Sequence, residues 1–306
     1  MFRIAHLTDP HVGPLPRPRL RELLNKRITG FVNWRRNRKD AHDMILLAAL
    51  VADMHAQGPD HIACTGDLCN IGLPSEWRTS RVFMEGLGPP DRVSLVPGNH
   101  DAYVEGSLEG LLKECAPWVA DDDGARPHFP YVRRRGPVAF VGMSSAVPTP
   151  PFVATGTAGR GQIKAAGELL AELGRDPHVF RIVLIHHPPH VGGAPSGRNL
   201  TDARAFEAMI RRAGAELILH GHMHVGSIAF IEGARGLVPV VGAPSASARG
   251  GALTHRAGYH LYTIASDAAG PRVTAELRGL SAEGTIGHIE TMKLTLERPG
   301  GAKKAR

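Results

Sequence analysis

Five short polar motifs carry the residues of this chain that could do chemistry. They are Asp9-Pro10-His11, Gly66-Asp67, Gly98-Asn99-His100-Asp101, His186-His187 and Gly221-His222-Met223-His224. Each offers a carboxylate, a carboxamide or an imidazole, the oxygen and nitrogen donors that suit Mn, Fe, Zn, Co or Ni. The three cysteines show no pairing at zinc-finger spacing, so a thiolate-rich structural zinc is not expected. Six or seven such donors exceed the needs of one tetrahedral ion. They suit two ions that share a bridging carboxylate. Two ions about 3.5–4 Å apart clamp a phosphoryl group for in-line attack and bring the pKa of a bound water toward neutrality.

The motifs need elements that bring them together. Each follows an apolar, strand-like segment directly, at 2–8, 61–65, 92–96, 178–185 and 216–219. Strand ends along one sheet edge converge, and α/β folds place their sites there. A glycine before Asp67, Asn99 and His222 lets the backbone turn sharply as the strand ends. Helical periodicity is read at 40–57, 161–173 and 202–213. In the first, Asp40 caps, Met44, Leu47, Val51 and Met54 share a face, and Gly58-Pro59 ends the helix. Further strands are read at 137–143, 225–231, 236–241, 258–264, 272–277 and 286–296. The alternation predicts an α/β fold with buried sheets, and the strand-rich last third predicts a second sheet packed on the first. With no repeat and no linker, a single domain is expected over 1–297, followed by a basic, disordered tail at 298–306.

Composition narrows the class. The chain has 306 residues, 42% hydrophobic and 21% charged, which fits a globular protein and not a disordered one. No apolar run approaches the ~20 residues of a membrane span. The sequence enters its first strand without a signal peptide, and three cysteines exclude a disulfide framework. A reducing, cytoplasmic setting is the expectation.

In this order and over residues 9–224, the motif set D-x-H, G-D, G-N-H-D, H-H-P-P and G-H-x-H resembles the calcineurin-like metallophosphoesterase superfamily. The resemblance implies a four-layer α-β-β-α sandwich of two packed mixed sheets. It also implies a dinuclear centre of divalent or mixed-valence ions, Mn, Fe or Zn. Carried over residue by residue, Asp9, His11 and His224 would hold one ion and Asn99, His186 and His222 the other, with Asp67 bridging. His100 would stand beside the metals as proton donor or charge stabiliser, and Asp101 would orient its imidazole. Asn70 and His187 would face the substrate. The implied reaction is hydrolysis of a phosphoester, a phosphodiester or a pyrophosphate, by metal-bound hydroxide. Bacterial cyclic-nucleotide phosphodiesterases and UDP-2,3-diacylglucosamine pyrophosphatases are both similar in these motifs, which do not separate them. The other classes in view are a nuclease and a membrane-associated metal-binding protein without catalysis. His190 and His220 read as hydrogen-bonding neighbours, His42, His55, His128 and His178 as solvated, Cys64 as a buried strand residue, and Cys69 as no ligand.

One segment belongs to no motif. Residues 17–39 carry nine Lys or Arg and one Glu, while the whole chain carries only +7, so the remainder is close to neutral. This basic insert, 14–39, starts extended at Pro14, Pro16 and Pro18 and reads as a helix from 19 to 29, with Gly30 a break. On a helix, Leu20, Leu23, Leu24, Ile28, Phe31 and Trp34 share one arc, and Arg27 falls within it. Three readings stay open. The insert lies on an anionic membrane surface, contacts nucleic acid with Trp34 stacking, or packs on its own domain with solvated charges. The near-neutral remainder counts against nucleic acid. The first reading adds a peripheral position on the inner face of the membrane and a lipid-linked substrate.

Overall fold

The computed structural model describes residues 1–124, 127–250, 255–267 and 270–294. The tail expected at 298–306 lies outside them. Two six-stranded mixed sheets face each other. In the first, β1 (Phe2–Leu7), β2 (His61–Cys64) and β3 (Val93–Leu95) run parallel, in that order. On the far side of β1, the strands β10 (Gly258–Asp267), β11 (Gly270–Leu280) and β12 (Ile286–Leu294) continue the sheet antiparallel. In the second sheet β5 (Val138–Gly142), β6 (Phe180–Leu184), β7 (Leu217–His220) and β9 (Gly236–Gly242) are parallel. β4 (Tyr131–Arg135) and β8 (Ser227–Gly233) flank them antiparallel.

Apolar periodicity explains the layers. Ile4, Leu7, Leu95, Phe140, Leu184, Leu219 and Leu261 belong to one buried core, which also takes in Leu47, Leu50 and Met54 of helix α2 (Met44–Ala56) and Met84 of helix α3 (Pro74–Leu87). The second sheet's outer face packs on α5 (Arg160–Leu173) and α6 (Ala203–Ala213) through Val183, Ile218, Val240, Leu170, Phe206 and Ile210. Helices thus cover both outer faces, and the expected four-layer α-β-β-α arrangement holds.

Several local expectations are corrected. The cap of α2 is Asp43, whose side chain accepts the Ile45 and Leu46 N–H groups, and Asp40 stays exposed. Two helices had no counterpart in the sequence reading: α3 and α4 (Ser107–Glu114). β4 had none either. Its Arg133 is buried, donating to the carbonyls of Pro90, Val93, Pro117 and Ala120. The insert folds in three short pieces: a 3-10 turn at Leu20–Leu23, α1 (Arg27–Asn33), and a π-turn at Trp34–Arg38. Gly30 lies inside α1 and breaks nothing. A Cβ there would fall 2.2 Å from Tyr103 Oη, so glycine is what lets the helix lie against that ring.

Candidate metal centre

All five motifs emerge at one edge of the paired sheets. Asp9 and His11 follow β1, Asp67 follows β2, and Asn99 and His100 follow β3. His186 follows β6, and His222 and His224 follow β7. The turns are sharp. Asp9, His11, Asp67, His222 and His224 all have positive φ, between 39° and 72°. Backbones held in this region by non-glycine residues are strained and cluster where a site demands them. Gly98 serves the same crowding, since a Cβ there would lie 2.2 Å from Asp67 Oδ1.

The donor atoms face one another. His11 Nε2 and His224 Nε2 are 3.3 Å apart, and His224 Nε2 is 3.1 Å from Asp9 Oδ1. Asp67 Oδ2 lies 4.0 Å from His11 Nε2 and 3.4 Å from His186 Nε2. Asn99 Oδ1 lies 3.2 Å from His186 Nε2 and 2.8 Å from His222 Nδ1. Behind this layer a second set of groups fixes the rings. His11 Nδ1 donates to the Cys69 carbonyl at 2.9 Å, and His186 Nδ1 donates to the Thr65 carbonyl at 2.6 Å. In both rings Nε2 is therefore the nitrogen left to face the site. Asp9 Oδ2 accepts the Thr8 hydroxyl at 2.7 Å and the His222 N–H at 3.0 Å.

Two buried atoms, Asp9 Oδ1 and His222 Nε2, have no hydrogen-bond partner. Buried polar atoms left without a hydrogen-bond partner are rare and costly, and a bound cation would satisfy both of these. Paired imidazole nitrogens and carboxylates aimed at a shared space are what a bound cation relieves. Among the described residues, metal-competent groups form at Asp9/His11/His224, His11/Asp67/His100 and Asp67/His186/His222, with donor atoms within 4.8 Å of one another. The residues fit a pair of ions that share Asp67.

Electrostatics follows the same geometry. Burial opposes charge on Asp9, but His224 and His186 outweigh it and hold the carboxyl well below its usual range. Burial would lower the His186 pKa, yet Asp67 and Asp9 hold it at about 9. His100 is pulled down to about 4, by burial first and by Arg38, against the attraction of Asp67.

The remaining expected site residues fare differently. His100 reaches the cavity, but Asp101 does not orient it. The Asp101 carboxylate accepts the backbone N–H groups of Asp67, Cys69 and Gly98 at 2.8–3.0 Å, tying two ligand loops together. The His100 ring is aimed instead by the Asn70 carbonyl, which accepts its Nδ1–H. The Asn70 side chain is turned away, donating to the Val12 carbonyl at 3.1 Å. His187 is fully buried, with Nδ1 2.7 Å from Ser145 Oγ and its ring 4.3 Å from that of His222. It supports His222 and does not reach the cavity. Asp101, Asn70 and His187 thus do not line the cavity that holds His100. Of the histidines read as solvated, His55, His128 and His178 are exposed, but His42 is not. Its ring lies 4.6 Å from that of His11, and its Nδ1 meets Ser247 Oγ at 2.8 Å.

The residue that the sequence reading missed most clearly is Arg38. Its guanidinium is 3.1 Å from both His100 Nε2 and His11 Nε2, and 3.3 Å from His42 Nε2. It shares a cavity of about 1170 Å³ with Lys26, Arg198 and Arg249, a strongly cationic lining. No local signal distinguishes Arg38 from the eight other cations of the insert. Only the fold of 27–38 delivers it.

Comparison with known proteins gives a consistent picture. Residues 2–226 match the family model for calcineurin-like phosphoesterases. A cAMP/cGMP dual specificity phosphodiesterase of Mycobacterium tuberculosis is 29% identical over 202 residues, covering 63% of this chain and 58% of that protein. The chain thus spans less than two thirds of that relative's length. A Synechococcus protein named "Probable cyclic nucleotide phosphodiesterase" is 26% identical over 203 residues, 65% of this chain and 69% of that one. Among solved structures, the purple acid phosphatase from yellow lupin seeds superposes with a TM-score of 0.59 at 13% identity. That likeness covers 95% of this chain and 53% of the lupin protein, and shows the shared fold.

Proposed function

This chain belongs to the calcineurin-like phosphoesterase family, and on that premise we propose that it hydrolyses a phosphodiester at a two-metal centre. The observation that carries the reading is the convergence of seven donors from both sheets, five of them on strained backbone, with two buried atoms left unpartnered. Asp9, His11 and His224 would hold one ion, Asn99, His186 and His222 the other, and Asp67 would lie between them. When bound, such ions supply a water of lowered pKa and neutralise charge on the phosphoryl oxygens. The chain's own groups do the rest. Arg38 stands beside His100 and His11, where its guanidinium can grip a phosphoryl oxygen in a charge-assisted bond. His100, its Nδ1–H committed to the Asn70 carbonyl, turns an unprotonated Nε2 toward the cavity, which would take up a proton there before passing it to the leaving oxygen.

A nucleoside cyclic phosphodiester is the substrate proposed first, because the curated relatives are named for it. A second reading, a phosphodiester or diphosphate carried on a lipid, is favoured by the cavity's size and by exposed Phe152 on its lining. Hydrolysis of cyclic AMP and of UDP-2,3-diacylglucosamine in mixed micelles, run side by side on Mn-reconstituted protein with products read by mass spectrometry, separates the two. Asp67→Ala is expected to lose both activity and bound metal. Wild-type turnover at full metal content in that variant would refute the shared-carboxylate centre. His100→Asn is expected to keep its metal and to lose rate most on poor leaving groups.

A further inference from the structure

We propose that the outer face of the insert docks this protein on an anionic lipid surface, with the mouth of the cationic cavity beside the docked face. The inference does not depend on which substrate is cleaved, or on cleavage at all.

The insert's cations divide by use. Arg27 is buried, donating to the Ile71 and Gly72 carbonyls and to Ser107 Oγ. Arg38 enters the site. Lys26 Nζ lies over the Tyr103 ring and donates to Thr149 Oγ1 at 2.8 Å, holding α1 against the loop 149–153. The other six, Arg17, Arg19, Arg21, Arg35, Arg36 and Lys39, are exposed. The apolar residues divide as well. Phe31 and Trp34 pack on Leu15, Ile71 and Leu73, which anchors the insert to the domain. That leaves Leu20 and Leu24, each 85% exposed, and Ile28, 52% exposed. The insert is therefore already fastened without them.

A second observation lies across the cavity mouth. Phe152 is 92% exposed and holds φ at +65°, in the loop that Lys26 ties to α1. An aromatic ring held in a strained backbone and presented to water is not explained by internal packing. Leu20, Leu24 and Ile28 share the insert with six exposed cations, and together with Phe152 they have the chemistry of an interfacial anchor: apolar side chains for the acyl boundary and Arg and Lys for anionic head groups. Charge also selects among occupants. A second copy of the chain would set six cations against six. A nucleic acid would leave the leucines without a partner, and Trp34 is packed away from stacking.

The test is sedimentation of the full chain with vesicles of phosphatidylglycerol and phosphatidylcholine, and with phosphatidylcholine alone. Binding to the anionic vesicles only, weakened by salt, is expected. Leu20→Ser/Leu24→Ser should lower the partition about tenfold or more, and Arg35→Gln/Arg36→Gln should lower it at low salt and change it little at high salt, where the charges are screened. Both variants should hydrolyse a soluble aryl phosphodiester at the wild-type rate, which shows that they are folded. Equal partition by the leucine variant, or equal binding to uncharged vesicles, would overturn the proposal. So would a dimer in sedimentation velocity that the leucine variant abolishes, since the occupant would then be a second copy.

Discussion

Arg38 shows how much a single side chain can add to a site that is otherwise written in motifs. The seven donors stand in the sequence at strand ends and could be named from residue type and order. Arg38 could not, because its meaning depends on three turns of chain folding back over the cavity. Neighbours in sequence also misled. Asp101 follows His100 directly, which invites a carboxylate–imidazole pair, but the backbone turns at Gly98 and sends the carboxylate back to three amides. Its work is structural, as an acceptor that locks the Asp67 and Asn99 loops together. If Arg38 grips a phosphoryl oxygen, Arg38→Ala forfeits a charge-assisted bond worth about 1.5–3 kcal/mol. That is roughly a 10- to 150-fold fall in kcat/KM. Metal content should be unchanged, and Arg38→Lys should restore part of the loss. An unchanged kcat/KM in Arg38→Ala would remove the residue from substrate binding.

At the scale of elements, periodicity identified the strands that end in ligands, and failed where polar side chains are buried. Glu76 of α3 belongs to an element without a counterpart in the sequence reading, and it is buried: its carboxylate accepts the N–H groups of Asn70, Ile71 and Leu73 and closes the loop behind His100. The insert's single apolar arc likewise splits in space into a packed half and an exposed half. Neither division is visible in a helical projection, because it is set by what lies opposite. The contact at Gly30 offers a measurement. Alanine is the better helix former by about 1 kcal/mol, so an exposed site would gain stability. Here the added methyl must displace Tyr103, and overpacking of this kind costs about 1–3 kcal/mol. Gly30→Ala should therefore lower the thermal midpoint by a few degrees and weaken substrate binding through the shifted cavity wall. A raised midpoint would mean that α1 rests on Tyr103 more loosely than the close approach implies.

For the whole molecule, the buried histidines set the response to acid. His260 is buried on β10 opposite His6, and burial pulls its pKa down to about 4. His6 and His61 are lowered in the same direction by burial. A group with a depressed folded pKa binds fewer protons folded than unfolded, so its stability contribution is complete above about pH 6.5 and drains away as the pH falls toward 4. For His260 alone the loss between pH 7 and pH 5 is on the order of 2 kcal/mol. Urea midpoints at those two values should differ accordingly, and His260→Leu should flatten the difference. No helix among the described residues is long and apolar enough to cross a membrane, and a seam runs between the two facing sheets. The donor set straddles that seam: Asp9, His11, Asp67 and Asn99 hang from one sheet, and His186, His222 and His224 from the other. A chain still emerging from synthesis, with only β1, β2 and β3 made, therefore carries four of the donors and lacks the other three. The same division would act as a safety interlock for the proposed centre: a copy with only half of these strands docked would hold an incomplete donor set.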